Sequence, residues 1–188
     1  MKPDKPIILA LTGASGAIYG LRLLKALKQL GIPVHLVLSS MGERILVDET
    51  GIQPGELHQQ ADRWYPPDDL YAPIASGSFP TRGMLVVPCS IKTLSGIANS
   101  YTENLIHRAA DVCLKEERPL LLGVRETPLH RGHLRLMSQA AEAGAIIFPP
   151  IPAFYHQPKT IDDLVNTTIG RMLARIGIEN EFYQSWGN

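Results

Sequence analysis

The chain has 188 residues, is 45% hydrophobic and sets 18 lysines and arginines against 18 aspartates and glutamates, which predicts one compact domain over residues 1–188 and removes any broad basic surface for nucleic acid or an anionic membrane. Two cysteines, Cys89 and Cys113, without a C-x-x-C partner predict free thiols in a reducing cytosol and not a disulfide framework. No stretch reaches the roughly 18 apolar residues of a membrane helix, so a soluble cytoplasmic protein is expected.

The first predicted element is a strand over Ile7–Leu11. It runs into TGASGAIYG and then into a helix in which Ile18, Leu21, Leu24, Leu27 and Leu30 recur at helical spacing, with Gly31 as its stop. A strand over Val34–Leu38 and a helix over 42–49 follow. Residues 65–83, carrying Pro66, Pro67, Pro73 and Pro80, predict a long loop or lid. Then come a strand at 84–87, helices over Ile91–Ala98 and 103–116, a strand over Leu120–Val124, a helix over 129–143, a short strand at 145–148 and a last helix over 161–176. This alternation predicts an α/β fold with three α/β/α layers around a parallel sheet, flavodoxin-like and of Rossmann type.

In such sheets ligands bind outside the carboxyl ends of the strands. The segments there are TGASG, then Ser39 and Ser40, then PCSIKT over 88–93, then RETP over 125–128, and finally the proline-stiffened PPIPAFYH over 149–156, which presents Tyr155. Four of these five offer hydroxyls or charge, so one shared polar pocket is expected. The glycine loop does not fit a dinucleotide. The fingerprint G-x-G-x-x-G would need glycines where Ser15 and Ile18 stand, and no acidic residue closes the second strand to hold a ribose. An anion held by backbone N–H groups beside Ser15 stays open, as does a plain structural turn.

Individual residues leave alternatives. Arg108 and Lys115 lie seven apart on one helical face, able to converge on an anion with Arg171, yet Asp111 between them also describes a solvated ion ladder. Glu126 beside Arg125 fits a surface ion pair or a proton carrier in a pocket. Tyr155 fits packing or binding. His107, His130, His133 and His156 are dispersed without a ligand pattern, so no metal site is expected, and Cys89 fits a small buried residue.

TGASGAIYG, PCSIKTLSGIA, RETPLHRGHL and PPIPAFYH, in that order over residues 7–175, resemble the flavin prenyltransferases, the UbiX family, whose members have also been labelled aromatic-acid decarboxylases. The resemblance implies transfer of a dimethylallyl group from dimethylallyl monophosphate to N5 and C6 of reduced FMN. The product would serve a separate UbiD-type decarboxylase. It implies flavin contacts at Gly13, Ala14, Ser15, Ser39, Ser90, Ile91, Lys92, Thr93 and Arg125, and donor contacts at Tyr155, Arg171, Arg108 and Lys115. Glu126, Ser15 and Glu49 are implied at the reacting centre. A homo-oligomer, dodecameric, is implied too, with the tail of about 179–188 and Trp186 as candidate cover of the pocket.

The chemistry is consistent with metal-free transfer. Diphosphate prenyltransferases hold magnesium with DDxxD, which is absent: Asp68-Asp69 and Asp162-Asp163 lack the second acidic partner, and the latter pair suits a helix's first turn. Two other functions share the fold. An FMN-dependent decarboxylase would need a dedicated catalytic histidine near the flavin. A flavodoxin-like electron carrier would show strong acidity and flanking aromatics, against neutrality and 6% aromatic residues here.

Overall fold

The computed structural model describes residues 5–185 and Gly187. Six parallel strands form one sheet: β1 (Ile7–Leu11), β2 (Val34–Leu38), β3 (Arg63–Tyr65), β4 (Gly83–Cys89), β5 (Leu120–Val124) and β6 (Ile146–Ile147). Their order is β3-β2-β1-β4-β5-β6. β1, β2, β4 and β5 are buried along their whole length, as expected of unbroken apolar runs covered on both faces.

Alternate side chains of the strands feed two cores. Ile7, Leu9 and Leu11 face α1 (Ala17–Gln29) and α7 (Ile161–Arg175), through Leu21, Leu24, Leu27, Ile169 and Leu173. On this side Leu46 of α2 (Ser40–Thr50) and Leu57 of α3 (Pro54–Gln60) are also buried. Ile8 and Ala10 face α4 (Ile91–Ala98), α5 (Leu105–Lys115) and α6 (Arg131–Glu142), through Leu94, Ile97, Leu105 and Ala109. Each fully buried leucine or isoleucine contributes about 1.5–3 kcal/mol, so Leu24→Ala in the middle of α1 would cost about 2–5 kcal/mol. Gly20 sets how close α1 lies to the sheet, because a Cβ there would stand 2.5 Å from the Val87 carbonyl oxygen.

Two elements were not expected. α3 is polar, burying only Leu57, but Pro54 at its start and the reciprocal Gln53 and Glu56 capping box mark it. β3 is three residues long with Arg63 and Trp64 exposed, an edge strand without an apolar run. Without β3 the strand order would be that of flavodoxin; with it, the sheet has the six-stranded order of dinucleotide-binding folds. β6 is shorter than expected, and its two residues are only half-buried. Residues 66–82 hold one 3-10 turn, Pro73–Ala75. They are fastened to the body by Arg118, which donates to the Gly77 and Phe79 carbonyls, and by Arg108, which donates to that of Ala75. No helix among the described residues is long and apolar enough to cross a membrane.

Candidate functional site at the sheet switch point

Strand order reverses between β1 and β4, so the loops after these strands diverge to opposite faces and leave a crevice. Thr12, buried at the end of β1, bridges it. Its hydroxyl donates to the Pro88 carbonyl at 2.9 Å and accepts the Ser90 N–H at 2.8 Å. The crevice opens into a cleft of about 700 Å³ bordered by Gly13, Ser39, residues 90–93 and Glu126, within the ordinary size of small-ligand sites.

Two helices begin at this cleft. Ser39 caps α2 by accepting the Gly42 N–H at 3.0 Å, and Ser90 caps α4 by accepting that of Thr93 at 3.3 Å. The first intrahelical bonds run from Glu43 and Leu94, so the N–H groups of Ser40, Met41, Ile91 and Lys92 precede them and are available to an anion. Lys92 adds a cation, 4.0 Å from a Glu103 oxygen. Gly13 leaves room for Met41, whose Cβ would be 2.6 Å from an added Cβ, and Met41 and Ile91 give the cleft an apolar side. These donors and surfaces fit a phosphorylated ligand with a flat apolar ring.

The start of α1 is different. The Glu49 carboxylate accepts the Gly16 N–H at 2.9 Å and the Ala17 N–H at 2.8 Å. The Gly16 and Ala17 N–H groups beside Ser15 are therefore engaged within the chain, which favours the structural turn of the two readings the sequence left open. A dinucleotide pyrophosphate would need this same helix start, so the protein's own carboxylate stands in its place. Burial alone would raise the Glu49 pKa, but hydrogen bonds from Ser15, Gly16 and Ala17, with the Arg125 charge, hold it below the usual carboxylate range. Arg125 also pulls against the burial-raised Tyr19. Ser15, Glu49 and Arg125 thus form one polar group, while Ala14 and Ser15 are not on the cleft wall.

Of the remaining expected residues, Glu126 borders the cleft and the others lie elsewhere. Arg108 donates to Asp111 at 3.1 Å as well as to Ala75, and Lys115 lies 3.4 Å from Glu116; within the chain neither borders the cleft. Arg171 sits over the Phe148 ring at 5.9 Å. The Tyr155 hydroxyl donates to the Gln184 carbonyl at 3.3 Å, so the described part of the tail touches this loop; Trp186 lies outside the described residues. Asp162 and Asp163 lie in the first turn of α7, as the sequence suggested; Asp163 completes the capping box with Thr160, and Asp162 also pairs with Arg22. Glu126 is exposed at the cleft, its carboxylate accepting the Thr127 N–H at 3.1 Å.

Two residues that sequence reasoning undervalued matter here. Thr12 is a hydroxyl closing a wholly apolar strand, a signal available in the sequence. His107 borders the cleft from α5 but is only 3% exposed, and neither ring nitrogen has a hydrogen-bond partner among the described residues. Burial pushes its pKa down, assisted by Lys92 and opposed by Glu103. Cys89 is no nucleophile, since burial lifts its thiol to about 12. No cluster of three histidine, cysteine or acidic side chains able to hold a metal occurs among the described residues.

The fold and cleft define a three-layer α/β protein whose switch-point cleft has the helix starts and apolar side that suit a phosphorylated ligand. Residues 1–173 match the family described as Flavoprotein. A flavin prenyltransferase UbiX of Salmonella typhimurium is 52% identical over 185 residues, covering 97% of this chain and 98% of its own. Its counterpart in Methanothermobacter thermautotrophicus is 48% identical over 186 residues, 99% of this chain and 97% of that one. AnUbiX, solved in complex with FMN and dimethylallyl pyrophosphate, superposes with a TM-score of 0.96 at 43% identity over 98% of each chain. A dodecameric FMN-dependent UbiX-like decarboxylase from Escherichia coli O157:H7 gives 0.94 at 41% identity, over 97% of this chain and 100% of that one. The chain therefore belongs to the Flavoprotein family and, within it, to the flavin prenyltransferases of the UbiX type.

Proposed function

We propose that this protein is a single-domain flavin prenyltransferase. It moves a dimethylallyl group from dimethylallyl monophosphate to N5 and C6 of reduced FMN, without a metal, and its product serves a UbiD-type decarboxylase. The observation that carries the reading is the near-full-length likeness to AnUbiX, a protein solved with FMN and dimethylallyl pyrophosphate. FMN supplies the nucleophilic ring atoms. The chain's own part is to bind phosphate at the starts of α2 and α4, to seat the ring against Met41 and Ile91, and to handle protons at the cleft edge. Glu126, exposed there, is the proposed proton carrier, and Arg125 with Ser15 and Glu49 the polar group beside it. Tyr155 and Arg171 are the proposed donor-phosphate contacts, with Arg108 and Lys115 as further cations. Assembly as a cytoplasmic dodecamer is part of the same reading, supported by the dodecameric relative.

The FMN-dependent decarboxylase alternative needs a histidine that reaches the flavin. His107, the histidine bordering the cleft, has both ring nitrogens buried, which argues against it. The test is anaerobic incubation of the protein with reduced FMN, dimethylallyl monophosphate and a chelator, followed by mass spectrometry of the extracted flavin. A flavin heavier by one dimethylallyl unit is expected, and it should restore activity to a flavin-free UbiD-type decarboxylase. Unchanged flavin, with FMN binding verified, would overturn the reading; transfer lost only on chelation would overturn its metal-free part.

A further inference from the structure

Beside the cleft, across the first turn of α4, a second concavity of about 580 Å³ lies between α4 and α6. Its wall carries Lys92, Ser95, His130, His133 and Arg135, and no carboxylate. The proposed transfer uses only Lys92 among them. The rings of His130 and His133 have centroids 3.6 Å apart. His130 accepts the Gly132 N–H at Nδ1, 2.9 Å away, so the neutral ring keeps its proton on Nε2 as a donor. The Nδ1 atom of His133 is buried without a hydrogen-bond partner among the described residues.

Lys92 has an acidic neighbour, Glu103 at 4.0 Å, on the side of the first cleft; the wall of the second concavity itself carries no carboxylate, so its cationic groups repel one another unless an anion joins them. Two imidazoles alone would suit a metal ion, but the ammonium and guanidinium on the same wall oppose a cation, and no carboxylate or thiolate completes a ligand set. A tetrahedral dianion satisfies the whole group. Arg135 can grip two of its oxygens, and Lys92, His130 Nε2–H and the Ser95 hydroxyl can serve others.

We infer that this pocket is a second anion site, built for a phosphate dianion and sharing Lys92 with the flavin cleft. Its role rests on the function proposed above, in which dimethylallyl monophosphate is consumed and phosphate released; its binding chemistry does not. Two sources carry the same dianion, free inorganic phosphate and the phosphate end of dimethylallyl monophosphate.

The test is calorimetric titration of the FMN-loaded full chain with inorganic phosphate and, separately, with dimethylallyl monophosphate, comparing wild type with Arg135→Gln and with Arg135→Gln/His133→Gln. Arg135 is exposed, so the single variant leaves the core intact. Phosphate should bind the wild type and lose at least about tenfold in affinity in the variants, with FMN affinity unchanged. A parallel loss for dimethylallyl monophosphate assigns the site to the donor, and an unaltered donor affinity assigns it to free phosphate. Equal phosphate affinity in wild type and variants would overturn the proposal, as would phosphate binding that disappears when FMN saturates the protein. Failure of the flavin reading appears separately, as a chain that binds no FMN, on which the same phosphate titration can still be run.

Discussion

The Thr12 hydroxyl holds the Ser90 N–H at 2.8 Å, tying the end of β1 to the cap of α4 across the point where the sheet reverses. The same hydroxyl donates to the Pro88 carbonyl, which also accepts the Thr12 N–H at 3.1 Å, so loss of the hydroxyl leaves the part-buried Ser90 N–H as the group without its partner. Thr12→Val, which keeps the shape, should destabilise the fold by about 1–3 kcal/mol and weaken FMN binding, whereas Thr12→Ser should restore most of both. Urea unfolding and flavin titration measure the two effects, and equal behaviour of the valine and serine variants would remove the clamp from the account.

Glu49 acts as the cap of α1 from a distant helix. Glu49→Gln should cost about 1 kcal/mol, the ordinary worth of a helix cap. Since the folded-state pKa lies below the unfolded one, this contribution is present above the unfolded value, about 4.3, and is lost as pH falls through the lowered folded value. The stability gap between wild type and Glu49→Gln should therefore narrow on acidification to about pH 3. A constant gap would contradict it.

His107 gives the opposite test at milder pH. Its folded pKa is depressed by burial, with Lys92 adding to and Glu103 opposing the effect. Stability is full above the unfolded value, about 6.5, and falls as pH drops below it, by at most about 1.4 kcal/mol per pH unit. His107→Leu should flatten the pH dependence of the melting temperature between about pH 5 and 7. An unchanged slope would show that the imidazole accepts its proton without disturbing the α4 and α5 contact.

Glu126 separates chemistry from binding. Glu126→Gln should bind FMN nearly as the wild type does yet slow prenyl transfer by about 10²–10⁴-fold, the usual weight of a proton carrier. Loss of flavin in step with activity would make the residue structural.

Gly13 tests the cleft floor. An added Cβ would stand 2.6 Å from Met41 Cβ, so Gly13→Ala must push the start of α2 or its first-turn side chain aside. FMN dissociation should rise clearly while the far-UV spectrum stays native; unaltered affinity would take Gly13 out of the binding surface.

Much of this was legible because the central strands bury both faces and so announce themselves as apolar runs. β1, β2 and β5 appear at their expected bounds, as does α4. β3 was not legible, since a three-residue edge strand with exposed Arg63 and Trp64 carries no periodicity and owes its existence to pairing with β2. For the site, the sequence placed Gly13, Ser39, residues 90–93 and Glu126 at strand ends, and they do share one cleft. It could not show that Glu49, 33 residues from Gly16, already occupies the start of α1, nor that Arg108 and Lys115 are engaged away from the cleft.

The sequence by itself determined the layered α/β architecture and the exclusion of a dinucleotide, because hydrophobic period and glycine spacing act over a few residues. It also carried the family. Only the tertiary structure decided which helix starts remain open to an anion. That depends on side chains arriving from distant elements: α1 is closed by Glu49, while α2 and α4 begin at the cleft with first N–H groups that precede their intrahelical bonds.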